Sequence, residues 1–459
     1  MQTDNDTITI GYFDWLASEF ISAIVLRDTF VRGLSRYVTI VPIPITRPDE
    51  VKEHYRRIGE YGLDYLYVDM FNSFIESFIV REALGSRIRF IVHCHAALSW
   101  ISRYMYVLPL LRSSDILCTP SHYAQKSLRL LSPRFESYRV PYCLDVCAIQ
   151  SSLPKVPRAH KKSIAFMGRL VPSKGIGLLI ECMPEIIQRV GDTQLTIIGP
   201  LSGEGKSDRP MSPYVVSLKR LVHELHLEEN IHFAGACFGP EKYQLLAHSD
   251  LFINPTCTLD DTFSVCNIEA FACGIPVITT DWAAHREIIT HEKTGFLIGV
   301  RCDEIESERV AEKEQLISAA VNLLSDETLC STMGQNAYKE ALRYDYATVL
   351  PDFIQHLKKQ MPTAGGIGWE SVKDKTLCDF KDLFNTEMHF FLHIDHHMRS
   401  RTFSDLYNLC TSRKKRRVTA EEIDNVKHKT QADELLEKIR RDFLYSLLPE
   451  ENRCALIQE

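Results

Sequence analysis

The sequence predicts an α/β protein: two doubly wound domains in tandem, each a parallel sheet with helices on both faces, followed by an appended helical region. Three observations predict it. At 459 residues the chain is too long for one hydrophobic core, so two or three domains are expected. Short apolar runs alternate with amphipathic segments through the first third of the chain. The same alternation then restarts after a polar, basic link, Leu153-Pro-Lys-Val-Pro-Arg-Ala-His-Lys-Lys162.

The elements follow in order. In residues 1–155, Thr7 to Tyr12 reads as a strand, Ile21 to Leu34 as a helix, and Tyr37 to Pro42 as a second strand. Tyr65 to Val68, Arg89 to His93, Ile116 to Thr119 and Tyr138 to Pro141 read as four more strands. In residues 156–345, Ser163 to Met167 is a strand, and Ile176, Leu179, Ile180, Met183 and Ile187 mark one helix face at 3.6 spacing. Gln194 to Ile198 is a strand, Val215 to Leu225 a helix, and Ile231 to Phe233 and Asp250 to Ile253 are short strands. Pro276 to Thr280 and Gly295 to Ile298 complete the set. After Met361 the break Pro362-Thr-Ala-Gly-Gly-Ile-Gly368 leads into residues 365–459, whose pattern is mostly helical. Ligands of doubly wound folds sit beyond the carboxyl ends of the strands, and two facing domains would make a cleft.

Bulk properties narrow the function classes. A composition of 45% hydrophobic and 25% charged residues is that of a globular protein, and a net charge of -7 argues against nucleic-acid binding by the chain as a whole. The start Met1-Gln2-Thr3-Asp4 lacks the basic and apolar regions of a secretory signal, and no apolar run reaches the roughly 18 residues of a membrane span. The 14 cysteines are scattered, which suits reduced thiols. A cytoplasmic protein is the expectation.

Two segments of the second domain carry the chemistry. In Phe166-Met-Gly168-Arg169-Leu-Val-Pro-Ser-Lys174-Gly175 a strand ends at Gly168, and a loop delivers two cations before a helix begins. Arginine grips phosphate oxygens bidentately and lysine adds a compact charge, so the pair suits an anion above the sheet; two solvated loop charges are the plain alternative. In Asp260-Asp261-Thr-Phe263-Ser264-Val265-Cys-Asn-Ile-Glu269-Ala-Phe-Ala-Cys-Gly274-Ile-Pro-Val277 a polar turn opens a helix. The N–H groups at Phe263, Ser264 and Val265 would form an anion site at its N-terminus. Asp261 precedes the helix and Glu269 lies within it. Two acids beside an anion site fit a ligand that carries hydroxyls on either side of a diphosphate, as a nucleotide sugar does.

These segments resemble glycosyltransferase family 4, retaining enzymes of the GT-B fold with two Rossmann-like domains. The family's acid, Phe, second acid and Ala-x-Ala-x-Gly-x-Pro-Val pattern appears as Asp261, Phe263, Glu269 and the run to Val277, and its Gly-Arg…Lys-Gly element as Gly168-Arg169 and Lys174-Gly175. The resemblance covers about residues 7 to 360 and is strong in the second domain. It implies a hexose-type transfer from a UDP- or GDP-linked sugar to an unidentified acceptor (a glycan, a lipid-linked molecule or a small molecule), with no cofactor and no metal. Arg169 and Lys174 would hold the diphosphate, helped by Gly168 and by the backbone of Phe263, Ser264 and Val265. Glu269 would bind the ribose and Asp261 would contact the transferred sugar. The resemblance also places a histidine at the end of the fourth strand near the reacting sugar, with His95 the better match and His93 the alternative, a core histidine being the plain reading. It implies as well that residues 346–364 form a helix crossing back to the first domain.

The sequence departs from the pattern in three places. The first acid is Asp261, one methylene shorter than the usual Glu, and Ser264 replaces the usual Gly after Phe. The loop after the first strand, Asp14-Trp15-Leu-Ala-Ser-Glu19, lacks the family's Gly-Gly pair. Two rival readings stay open: a catalytically degenerate sugar-nucleotide-binding module, and another GT-B enzyme such as a sugar-nucleotide epimerase.

Other features have weaker readings. Asp260-Asp261 could hold a metal, but the second acid matches the sugar-contacting position. His389, His393, His396 and His397 could share a helix face with Asp395 nearby, without a completed ligand set. Arg413 to Arg417 is a dense basic run, a solvated stretch or a dock for an anionic membrane or an acidic partner. Trp15 and Trp100 fit either acceptor stacking or the core.

Overall fold

In a computed structural model, the described residues are 8–360, apart from 15–20, 45–57, 70–76, 78–80, 82–87, 96–110, 112–113, 132–136, 154–161, 203–209, 259–260 and 303–308. Trp15, Trp100, Asp260, most of the basic link, the His389–His397 group and Arg413–Arg417 lie outside the described residues.

The first half builds β1 (Thr9–Asp14), α1 (Ile21–Leu34), β2 (Thr39–Pro44), β3 (Tyr65–Asp69), β4 (Arg89–His93), β5 (Ile116–Thr119), α2 (His122–Leu131), β6 (Ser137–Arg139) and α3 (Val146–Ser152). The strands form one parallel sheet in the order β2-β1-β3-β4-β5-β6. β2 contains Pro42 and Pro44, which cannot donate to a ladder, and it takes the edge position where that costs least. Both β1 and β2 begin two residues later than the apolar pattern predicts. The reason lies in their surroundings: the Ser35–Tyr37 turn remains bonded to the end of α1, with Tyr37 N–H donating to the Leu34 carbonyl, and pairing starts at Thr9 opposite Thr39.

The second half builds β7 (Lys162–Met167), α4 (Ile176–Val190), β8 (Thr193–Ile198), α5 (Pro213–Glu224), β9 (Ile231–Gly235), α6 (Gly239–Ala247), β10 (Leu251–Asn254), α7 (Val265–Ala272), β11 (Val277–Thr280), the single turn α8 (His285–Ile288) and β12 (Gly295–Ile298). A short ribbon, β13 (Val300–Cys302) and β14 (Arg309–Ala311), precedes α9 (Lys313–Ser325), α10 (Glu327–Ala341) and α11 (Tyr346–Gln360). The second sheet is parallel in the order β12-β11-β10-β7-β8-β9. The chain winds outward from β7 through β8 to β9, then returns to β10 on the other side of β7. The crevice between the carboxyl ends of β7 and β10 is therefore a topological switch point, the place where such sheets bind ligands.

Packing follows the apolar faces. Ile176, Leu179, Ile180 and Met183 of α4 are buried against Ile164, Leu195 and Ile197 of the sheet. Burying each such side chain contributes roughly 1.5–3 kcal/mol. The last helix, α11, packs on the first sheet: Tyr346, Leu350, Phe353 and Leu357 join Phe30, Leu34, Tyr65 and Tyr67. Two tyrosines tie it down, Tyr346 Oη donating to the Thr29 carbonyl at 2.8 Å and Tyr65 Oη to the Leu357 carbonyl at 2.9 Å. Gly33 admits this approach, because a Cβ there would lie 2.7 Å from the Tyr346 ring. No helix among the described residues is long and apolar enough to cross a membrane.

Candidate functional site

β7 ends at Met167, and Gly168 and Arg169 lead out of the sheet at the switch point. Arg169 is half-buried there. A 3-10 turn, Pro172–Lys174, then brings Lys174 back over the crevice. Gly175 closes the turn in the left-handed region at φ 68°, and a Cβ would meet Pro255 at 3.0 Å, so this junction requires glycine. On the far side β10 ends at Asn254, whose buried amide pins the next loop. Nδ2 donates to Ser264 Oγ at 3.0 Å and to Asn267 Oδ1 at 3.1 Å, while Oδ1 accepts from Thr256 Oγ1 at 2.6 Å.

That loop delivers Asp261 to Lys174. Lys174 Nζ lies 3.4 Å from Asp261 Oδ2, and His285 Nε2 lies 3.2 Å from the same oxygen. Burial pushes the Asp261 carboxyl up, but Lys174 and His285 outweigh it and hold the group well below the usual carboxylate range. Asp261 is therefore ionised.

Helix α7 starts one turn away. Ser264 is its N-cap residue but makes no side-chain cap, because its hydroxyl accepts from Asn254. The N–H groups of the first turn are thus left uncapped by this side chain, at the positive end of the helix dipole. Burial pushes the Cys266 thiol up to about 11, so it adds no negative charge at this end. Further along, buried Glu269 places Oε1 2.5 Å from Lys242 Nζ and 3.2 Å from Tyr243 Oη, both contributed by α6. Burial and then the Glu269 charge push the Tyr243 phenol up, which keeps it a donor.

The first half contributes His95, just past β4. Its carbonyl accepts from Thr262 Oγ1 at 2.6 Å. Its ring stacks on Tyr142, centroids 5.6 Å apart, and Tyr142 meets Phe263 edge to face at 5.4 Å. His95 Nδ1 and Tyr142 Oη are in hydrogen-bond contact. His93 lies in the core instead, fully buried, with Nδ1 3.1 Å from Tyr67 Oη. Glu287 of α8 adds a second link across the cleft: its two carboxylate oxygens accept from the N–H groups of His122 (2.9 Å) and Tyr123 (2.8 Å) at the start of α2.

The structure thus gathers Lys174, Asp261, Phe263, Ser264 and Val265 around the start of α7, with Gly168 and Arg169 at the end of the adjacent strand, Glu269 deeper and His95 facing from the other half. Sequence reasoning missed Lys242, Tyr243, Asn254 and His285. None carries a motif: Lys242 reads as a helix-surface cation and His285 as a lone histidine. Among the described residues no group of three or more histidines, cysteines or acids is placed to hold a metal. A cavity of about 770 Å³ lies elsewhere, lined by Lys162, Asp250, Gly274, Cys330 and Tyr338. Lys162 and Asp250 stand at the opposite ends of β7 and β10 from the site.

The chain is similar in sequence and in fold to known glycosyltransferases. Residues 152–340 match the family model described as glycosyl transferases group 1. The putative glycosyltransferase YtcC of Bacillus subtilis is 31% identical over 179 residues, 39% of this chain and 40% of the relative. A GDP-mannose-dependent alpha-(1-6)-phosphatidylinositol monomannoside mannosyltransferase of Mycobacterium tuberculosis is 28% identical over 158 residues, 33% of this chain and 38% of the relative. The chain thus spans about two fifths of the length of these curated relatives. In three dimensions, Anabaena HepE, solved in complex with UDP, superposes with a TM-score of 0.59 at 18% identity, covering 77% of this chain and all of that one (100%). A glycosyltransferase from Rickettsia africae gives 0.59 at 16% identity, covering 78% and 100%. The fold is GT-B: two Rossmann-like parallel sheets with the site at the switch point of the second.

Proposed function

We propose that the chain is a retaining glycosyltransferase that moves a hexose-type sugar from a nucleotide-diphosphate donor to an acceptor. The observation that carries this reading is the meeting of Lys174 and Asp261 at the uncapped start of α7, with Glu269 eight residues further along the same segment. A diphosphate needs cations and N–H donors; a sugar and a ribose on its two sides need acceptors for their hydroxyls. In this reading Arg169, Lys174 and the N–H groups of Phe263, Ser264 and Val265 stabilise the charge that grows on the leaving diphosphate, the largest contribution in reactions of this kind. Asp261 holds a hydroxyl of the transferred sugar and Glu269 the ribose. The departing phosphate takes the acceptor's proton on the face it leaves, which retains the configuration. Residues 1–155 form the acceptor side, with His95 closest to the reacting sugar, and residues 156–345 the donor side.

GDP-mannose dependence in the mycobacterial relative supports a hexose donor. The proposed donor is therefore a GDP- or UDP-linked hexose. The cations and helix dipole supply the positive charge that a divalent ion supplies elsewhere, so no metal is assigned a role.

Thermal shifts against GDP- and UDP-linked hexoses, with and without EDTA, test this, followed by mass spectrometry for released nucleotide. Selective stabilisation by one sugar nucleotide, unaffected by EDTA, and its turnover are expected. Stabilisation without any turnover would favour a degenerate binding module, and no shift at millimolar concentration would sink the donor assignment.

A further inference from the structure

His285 is wholly buried and touches Asp261, yet the proposed reaction gives it no task. Its hydrogen bonds define its state. Nδ1 faces Thr279 Oγ1 and Thr280 Oγ1, each at 3.0 Å, and the Thr280 carbonyl at 3.3 Å. A hydroxyl has one hydrogen to give. Thr279 donates its hydrogen to the Asn254 carbonyl at 2.7 Å, and Thr280 donates its own to the Thr256 carbonyl. Nδ1 therefore sees three acceptors and must carry a hydrogen itself.

Nε2, at the other side of the ring, faces Asp261 Oδ2 at 3.2 Å. Lys174 Nζ approaches that same oxygen at 3.4 Å. An oxygen that serves a lysine ammonium is a carboxylate acceptor, so Nε2 must also donate. A neutral imidazole has only one N–H and cannot meet both demands. The charged neighbours of His285 along α8 are paired elsewhere: Arg286 with Asp281 at 2.5 Å, and Glu287 with the start of α2.

We infer that His285 is a buried imidazolium that balances the charge of Asp261, leaving the charge of Lys174 to the donor diphosphate. The last clause rests on the proposed function; the protonation state does not. Without this cation, Lys174 and Asp261 would cancel, and the pair would offer no net positive charge where two phosphates are to bind. Both cations also contact Oδ2, which leaves Oδ1 with no partner among the described residues and able to accept a ligand hydroxyl. His285 is thus a positioning residue, acting through Asp261.

Two measurements on the full chain test this. In long-range ¹H–¹⁵N correlation spectra of ¹⁵N-histidine-labelled protein at about pH 7.5, where an unperturbed histidine is neutral, one histidine is expected with both nitrogens protonated. Its signal disappears in His285→Asn, and in Asp261→Asn it converts to the neutral Nδ1-protonated form, which assigns it even if His285→Asn does not fold. Spectra in which every histidine is neutral would overturn the inference. Calorimetry with UDP and GDP then reads the consequence. His285→Asn is expected to weaken the bound nucleotide more than tenfold, and the double variant with Asp261→Asn to recover most of that loss. Unchanged affinity in His285→Asn would overturn the charge-balancing role. Failure of the unaltered protein to bind either nucleotide would instead sink the donor reading and leave the spectra standing.

Discussion

Thr262 donates its hydroxyl to the backbone carbonyl of His95 across the cleft at 2.6 Å. Thr262 follows Asp261 directly, so this bond ties the acid of one half to the histidine of the other. Thr262→Val keeps the volume and removes the bond. Turnover is expected to fall about tenfold, and stability by about 1 kcal/mol, with nucleotide affinity nearly unchanged. A proportional rise in KM with constant kcat would show that the bond serves binding instead.

Glu287 holds the first-half helix α2 by two N–H groups. Glu287→Ala removes both acceptors and is expected to cost about 1 kcal/mol, as the loss of a helix cap does. Small-angle scattering should show a larger radius of gyration for the variant, reduced again by saturating nucleotide. Identical scattering curves would mean that the halves stay closed without this contact.

Arg169→Ala and Lys174→Ala each remove a cation from the leaving-group site. Each is expected to lower kcat by about 10²–10³-fold, the cost of losing one preorganised donor at developing charge. Circular-dichroism melts should be nearly unchanged for Arg169→Ala, whose side chain lies outside the hydrophobic clusters, and lower for Lys174→Ala, which leaves the buried Asp261 carboxylate with His285 alone. Near-normal turnover in either variant would remove its assigned role.

Glu269 contacts Lys242 and Tyr243 through Oε1, and in the proposed reading its carboxylate also takes the ribose hydroxyls. Glu269→Ala should weaken nucleotide binding by about 1.5–3 kcal/mol. The unaltered protein should prefer UDP or GDP over its 2′,3′-dideoxy analogue, and the variant should not. A preference that survives the substitution would place the ribose elsewhere.

His93 should make stability fall in mild acid. Burial and then the His95 charge hold its imidazole well below the ordinary histidine range. The folded state therefore resists a proton that the unfolded state accepts from about pH 6.5 downward. The contribution is complete above that pH and is lost as pH falls towards the folded value, by up to about 1.4 kcal/mol per pH unit. Melting temperatures between pH 7 and pH 5 should decline less steeply in His93→Phe. Parallel curves would show that His93 does not drive the decline.

Much of this was legible in the chain. β4, β5 and β12 begin and end where their apolar runs do, β5 between Asp115 and Pro120 and β12 stopped by Gly299, residues that break a strand. Strands whose limits depend on a partner, such as β1 and β2, shifted. Likewise Asp261 and Lys174 stand out in the sequence through their strand–loop–helix contexts, whereas His285 sits in Asp281-Trp-Ala-Ala-His285 with no spacing to mark it.

The sequence by itself determined the two-sheet architecture and the residue types at the donor crevice, because hydrophobic periodicity and loop chemistry are local properties. Only the tertiary structure decided who partners whom. It seated Lys242 on Glu269, turned Thr262 to His95, and closed His285 between two threonines and Asp261. Such pairings join residues far apart in the chain, and they form because buried polar groups must find partners in whatever the packed sheets bring near.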